Sequence, residues 1–247
     1  MRGDLQAETI SFEGAEGAQL EAYLARPLDA GPPRGGVVVI HHLPGYDAAT
    51  KEIVRRFAAE GFDAVCPNLY SREAPGADPD DAAALVRAQG GVPDERLVGD
   101  VAGAAAALRA LPTSNGKVGS IGYCSGGRQS FLAAATVDLQ AAVDCYGAFV
   151  VGTPPEGFPL QVTGLEHLVP SLRCPVLGLF GRDDTYPPPA DMEHLDTLLT
   201  EAGKPHAFHY FDGAGHAFFS VDRPAYRPEA AKEGWRLILD FFGQELS

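Results

Sequence analysis

Apolar positions change their period several times along this chain, and the changes mark out its elements. Residues 9–13 and 19–25 alternate apolar with polar, setting Ile10 and Phe12, then Leu20, Ala22 and Leu24, on one face each. With Gly14 and Gly17 between them they predict an N-terminal β-hairpin. After the segment PLDAGPPRGG the pattern becomes an unbroken β-branched run at 37–40, the signature of a strand buried on both faces of a parallel sheet. Residues 50–60 then carry Ile53, Val54, Phe57 and Ala58 at helical spacing. The alternation recurs. A strand at 62–66 stops at Pro67, helices follow at 79–89 and 93–110, and a strand at 117–122 is entered through the Asn115-Gly116 turn. A helix at 127–137, strands at 141–146 and 176–181, a helix at 190–202, a strand at 206–211 and a helix at 228–242 complete the series. Strands alternating with helices of these lengths predict an α/β fold: one mostly parallel central sheet with helices on both faces.

Two stretches interrupt the alternation, 71–78 and the proline-rich 149–174, and the second is long enough to be expected as a lid or pocket wall. The length of 247 residues fits one α/β domain spanning 1–247. A hydrophobic fraction of 45% and a charged fraction of 21% exclude disordered, collagenous and coiled-coil chains. Charge narrows the partners: 19 Lys and Arg against 33 Asp and Glu give a net charge of −14, which excludes nucleic acid and anionic membrane surfaces. Cys66, Cys124, Cys145 and Cys174 form no C-x-x-C pair, so a reducing, cytoplasmic location is expected. The first residues hold no apolar signal core, and no run reaches the roughly 18 apolar residues that span a bilayer.

The chemistry concentrates where predicted strands end. Gly122-Tyr123-Cys124-Ser125-Gly126-Gly127 lies between a strand and a helix and has the form of a G-x-nucleophile-x-G elbow, in which a sharp turn lifts the central side chain off the sheet edge. Centring the motif on Ser125 would require glycine at 123, which is Tyr, so Cys124 is the nucleophile candidate. A free thiol, with a pKa of about 8.5, is only partly ionised at neutral pH and needs a base, which in turn needs an orienting acid. Asp183 and Asp184 follow the strand at 176–181, and His216 follows the strand at 206–211 through a glycine-rich turn. The chain order Cys124, Asp184 or Asp183, His216 is that of an α/β-hydrolase, with each residue at the carboxyl edge of the sheet. In that fold the residue after the nucleophile, Ser125, supplies one oxyanion N–H and the loop after the strand at 37–40 supplies the other. His41 and His42 end that strand. Neighbouring strand residues face opposite ways, so the pair does not chelate one metal, and one of them is expected to face the site. His167, His194, His206 and His209 are read as structural.

At this point the chain resembles the dienelactone hydrolase family of α/β-hydrolases over nearly all its length. The resemblance is carried by Gly61-Phe62-Asp63-Ala64-Val65-Cys66-Pro67-Asn68-Leu69-Tyr70, by Ser114-Asn115-Gly116-Lys117-Val118-Gly119 leading into the cysteine-centred elbow, by Gly181-Arg182-Asp183-Asp184 with Pro188, and by Ala214-Gly215-His216-Ala217-Phe218. It implies a Cys124, His216, Asp184 triad, favouring Asp184 over Asp183, with the Leu43 backbone N–H as the second oxyanion donor. It further implies hydrolysis of a small carboxylic ester or enol-lactone through a thioester intermediate, with no metal and no cofactor. The family's dienelactone-specific enzymes carry a glutamate where this chain has His42, and a basic residue where it has Ser220. His42, Tyr123 and Arg87 are therefore the substrate-binding candidates: His42 to contact substrate or to donate a hydrogen bond near the thiolate, Arg87 to clamp a substrate carboxylate.

Other readings compete. A broader carboxylesterase or thioesterase would use the same triad on acyl chains. A non-catalytic ligand-binding or redox-sensing protein would keep the reactive cysteine, but it needs neither an acid behind the histidine nor an oxyanion turn. A zinc hydrolase built on His41 or His42 is the weakest, since no further ligands lie at zinc spacing.

Overall fold

A computed structural model describes residues 4–28 and 31–247. The alternating N-terminal segments form β1 (Leu5–Glu13) and β2 (Gln19–Pro27), an antiparallel hairpin in register from Leu5 opposite Pro27 to Glu13 opposite Gln19. Six more strands follow: β3 (Arg34–Ile40), β4 (Asp63–Pro67), β5 (Ser114–Tyr123), β6 (Ala141–Cys145), β7 (Val176–Gly181) and β8 (His206–Phe211). All eight lie in one sheet of order β1-β2-β4-β3-β5-β6-β7-β8. The hairpin joins through an antiparallel β2–β4 pair, and every pairing from β4 to β8 is parallel. The expected mostly parallel sheet with its N-terminal hairpin is thus observed.

Helices α1 (Ala48–Ala59), α2 (Pro79–Ala88), α3 (Asp94–Arg109), α4 (Ser125–Thr136), α5 (Pro189–Glu201) and α6 (Pro228–Glu245) fall close to their predicted spans. The strands alternate strictly between two cores. Val38 and Ile40 of β3 pack with Leu97, Val101 and Leu108 of α3 and with Phe131 of α4, whereas Val37 and Val39 pack with Val54 and Phe57 of α1 and with Trp235, Ile238 and Phe242 of α6. That two-sided burial is why the central strands read as continuous apolar runs rather than as alternating ones. No helix among the described residues is long and apolar enough to cross a membrane.

Several boundaries differ from the sequence reading, among them the starts of β1 and β3 and the end of α6, and three others have a local reason. β5 begins at Ser114 rather than 117 because Ser114 pairs with Arg34 at the start of β3. Helix α4 begins at Ser125, directly after the elbow, with no intervening loop. Strand β6 ends at Cys145, since Tyr146 takes a left-handed φ of 44° and turns the chain away from the sheet. Segment 149–174 contains a short 3-10 helix, Glu166–Ser171, that its irregular pattern did not announce. The segment is tied down from inside. Arg128, on the second turn of α4 and almost fully buried, donates to both carboxylate oxygens of Asp94 (2.7 and 2.8 Å), to the Thr163 carbonyl (2.7 Å) and to the Phe149 carbonyl (3.2 Å).

Candidate active site

The site starts from the crowding at the end of β5. A β-carbon on Gly122 would lie 1.8 Å from the Gly126 carbonyl oxygen, and one on Gly126 would lie 2.4 Å from the Ile40 carbonyl oxygen, so only glycine fits at either position. Between them Cys124 adopts φ 58° and ψ −122°, while its N–H donates to the Cys145 carbonyl across the sheet (3.0 Å). This pinned, left-handed turn projects the thiol beyond the strand ends. Cys66, Cys145 and Cys174 are buried and unpaired, and Cys124 alone among the four is partly exposed.

Asp184 and His216 come from the loops after β7 and β8. The structure decides between the two aspartates: Asp183 is exposed, whereas Asp184 is buried and its Oδ2 accepts from His216 Nδ1 at 3.0 Å. The other oxygen, Oδ1, accepts the Tyr186 N–H at 2.9 Å, which locks the carboxylate in place. His216 lines the same cavity as Cys124, and the Tyr146 ring meets it edge-on at 5.1 Å. Burial alone would lower the basicity of the imidazole, but its hydrogen bonds to Asp184 and Cys124 prevail and push it up to about 10. Asp184, His216 and Cys124 therefore lie together at one cavity.

That cavity, of about 330 Å³, is lined by Leu43 and Ser125 beside Cys124, and by Phe149, Phe158, Leu160 and Tyr186. Leu43 and Ser125 both line this cavity, and Tyr70 steadies the Leu43 turn by donating to its carbonyl (2.9 Å). Segment 149–174 supplies Phe149, Phe158, Pro159 and Leu160, so it forms a wall of this cavity.

The three substrate-binding candidates lie elsewhere. His42 and Tyr123 line a second, larger cavity of about 550 Å³ on the α1 and α6 side, which contains none of Cys124, Asp184 and His216. His42 is held there by a 2.8 Å bond from Nε2 to Asp47 Oδ2, and Asp47 also caps α1 by accepting the Thr50 N–H (2.7 Å). Tyr123 ends β5, and its ring packs on Phe219 (5.6 Å) and Tyr146 (6.2 Å). His41 does not face the site either. It accepts the Leu69 N–H on Nε2 and donates from Nδ1 to the His42 carbonyl, and burial lowers its pKa to about 4, so it stays neutral. Arg87 is not among the residues that line the cavity at Cys124, and its Nε folds back onto the Ala83 carbonyl of its own helix (3.3 Å). Among the described residues no group of His, Cys, Asp and Glu could hold a metal ion.

Tyr186 and Thr185 line the cavity without having been singled out from the sequence. A signal was present: an aspartate whose side chain accepts the N–H two residues on folds the chain back upon itself, and here that turn brings Tyr186 to the mouth of the site.

Comparison with known proteins agrees with this architecture. The profile of the dienelactone hydrolase family matches residues 20–246. A carboxymethylenebutenolidase of Pseudomonas putida is 33% identical over 242 residues, covering 95% of each chain. A crystal structure of a protein assigned as a dienelactone hydrolase, from Klebsiella pneumoniae, superposes with a TM-score of 0.86 at 29% identity, over 98% of this chain and 100% of that one. A dienelactone hydrolase-like promiscuous phosphotriesterase from metagenomic libraries has a TM-score of 0.74 at 22% identity, over 99% and 100% of the two chains, and shares the fold.

Proposed function

The chain belongs to the dienelactone hydrolase family, a hydrolase of α/β-hydrolase fold acting on lactone esters, and from that premise we propose that it works through a Cys124–His216–Asp184 triad and a covalent thioester. The observation that carries this reading is the hydrogen bond from His216 to the buried Asp184 at the same cavity as a cysteine raised on a strained elbow. A redox sensor has no need of the carboxylate behind the histidine. The proposed unit is the whole chain, 1–247, as one catalytic domain.

The steps follow from the groups present. His216, oriented by Asp184, shares the Cys124 proton, and the thiolate Sγ attacks the carbonyl carbon of an ester or lactone bound in the cavity. Negative charge moves to the carbonyl oxygen, where the backbone N–H groups of Leu43 and Ser125 would stabilise it. Collapse breaks the carbon–oxygen ester bond and leaves a thioester on Cys124, with the His216 imidazolium giving its proton to the departing oxygen. In a lactone that oxygen stays tethered to the acyl group, and an enol-lactone releases it as an enolate that needs little help from an acid. A water activated by His216 then attacks the thioester, releases the carboxylic acid and restores the thiol.

The test is rapid-mixing hydrolysis of an aryl ester, with mass spectrometry of the quenched protein. The expected result is a burst of one equivalent of alcohol, an acyl adduct on Cys124, and loss of both in Cys124→Ala. Undiminished hydrolysis by Cys124→Ala would refute the assignment.

A further inference from the structure

We propose that the cavity above Cys124 selects neutral esters and lactones bearing one aromatic or compact apolar group, and discriminates against substrates bearing a carboxylate. The inference rests on the ester-hydrolase reading above and adds the substrate class.

The charge of the lining decides the first half. Apart from His216, whose imidazole belongs to the triad, no cationic side chain is among the residues that line this cavity. The charges it does hold are negative: Asp184, already tied to His216, and Asp183, exposed at the rim. Two arginines come from neighbouring helices, and neither is among the residues that line the cavity. Arg87 folds onto Ala83 of its own helix, and Arg128 is consumed by Asp94 and by the Thr163 and Phe149 carbonyls. A substrate carboxylate entering here would lose its hydration without gaining a partner, and would do so within a chain of net charge −14. The carboxymethylenebutenolidase of Pseudomonas putida is named for a lactone that carries such a carboxylate. Among the described residues that line this cavity, none but the triad histidine could complement that group.

The shape of the lining decides the second half. Phe149, Phe158 and Tyr186 come from separate turns and close into a triangle of rings, with centroids 4.9 Å apart for Phe149 and Phe158, 5.5 Å for Phe149 and Tyr186, and 5.6 Å for Phe158 and Tyr186. Phe149 holds a left-handed φ of 62°, and its carbonyl is fixed by Arg128, so the ring is set in place before substrate arrives. Tyr186 is 40% exposed, which leaves an apolar edge open at the mouth. A dry apolar cavity of about 150 Å³ already admits benzene, so a volume of about 330 Å³ takes one ring together with a short ester, and not a long acyl chain.

The experiment compares kcat/KM for matched pairs differing in one charge: an enol-lactone carrying a carboxymethylene group against the same ring with that carboxylate replaced by a primary carboxamide, and 4-carboxyphenyl acetate against 4-carbamoylphenyl acetate. The neutral member of each pair is expected to be favoured on the order of 100-fold. Phe158→Ala should raise KM for the phenyl esters while leaving that for methyl acetate within about twofold. Equal or faster turnover of the carboxylate-bearing members, or an unchanged KM for phenyl esters in Phe158→Ala, would overturn the proposal. Failure of the triad reading looks different: hydrolysis of every compound would persist in Cys124→Ala.

Discussion

Cys124 holds φ 58° and ψ −122° although it is not a glycine, a conformation that survives only where the surroundings over-determine it. Here the carbonyls of Gly126, Ile40 and Cys145 leave the turn no alternative. At the same scale, the hydrogen bonds of His216 to Asp184 and Cys124 favour the imidazolium, so its charge persists at neutral pH and is lost only as pH rises through about 10. Hydrolysis is therefore expected to fall as pH rises through about 10, when the proton required by the leaving oxygen is gone. Asp184→Asn should move this limb to lower pH and reduce kcat by roughly 10²- to 10⁴-fold. A pH–rate profile that does not move would show that Asp184 does not act through His216. The proposed triad residues could be picked out in the sequence because the elbow, the acid and the base each follow a strand. The partners of His42 and Tyr123 were not legible. Which way a residue at a strand end turns depends on Asp47 and Phe219, which chain order does not place beside them.

Among the elements, the pairing that matters most is α4 with segment 149–174. Helix α4 begins at the elbow and, one turn on, presents Arg128, whose four bonds reach α3 through Asp94 and the segment through Thr163 and Phe149. One side chain thus couples the nucleophile's helix to the aromatic wall of the cavity. Replacing it by methionine keeps much of the volume but leaves two carbonyls and a carboxylate without their donor. Arg128→Met is expected to cost about 1–3 kcal/mol in denaturant unfolding and to raise KM as Phe149 loses its anchor. Unchanged stability and KM would show that the segment holds its shape by packing alone. The sequence marked 149–174 as the one long irregular stretch, but its single-residue contacts to α4 have no periodicity, and so neither they nor the 3-10 helix at Glu166–Ser171 could be read in advance.

Across the whole molecule the sheet places every reactive group at one edge and buries a carboxylate beneath them. Asp144 of β6 is almost fully enclosed; its Oδ1 accepts the Gly147 N–H (2.7 Å), and its Oδ2 has no hydrogen-bond partner among the described residues. Burial outweighs that hydrogen bond and pushes its pKa up to about 7. The folded protein therefore holds this proton from about pH 4 to 7 while the unfolded chain has released it, so in that window rising pH favours the unfolded state, by on the order of 1 kcal/mol per pH unit. Asp144→Asn keeps an acceptor for Gly147 and removes the titration. Its unfolding free energy should lack that decline and exceed the wild-type value at pH 8. Parallel stability curves for the two proteins between pH 4 and 8 would contradict this.

From the sequence alone came the order of elements, the two-sided core, and Cys124, His216 and an aspartate at 183 or 184 as residues at strand ends. Each of these follows from local rules: the period of the apolar positions, the residues that turns demand, and the edge at which parallel strands end. The packed fold set which aspartate meets His216, that His42 and Tyr123 line a different cavity from the one at Cys124, that neither Arg87 nor Arg128 lines the latter, and that three aromatic rings do. Those outcomes depend on side-chain direction and on competition for partners between segments far apart in the chain, which only the packed fold brings together.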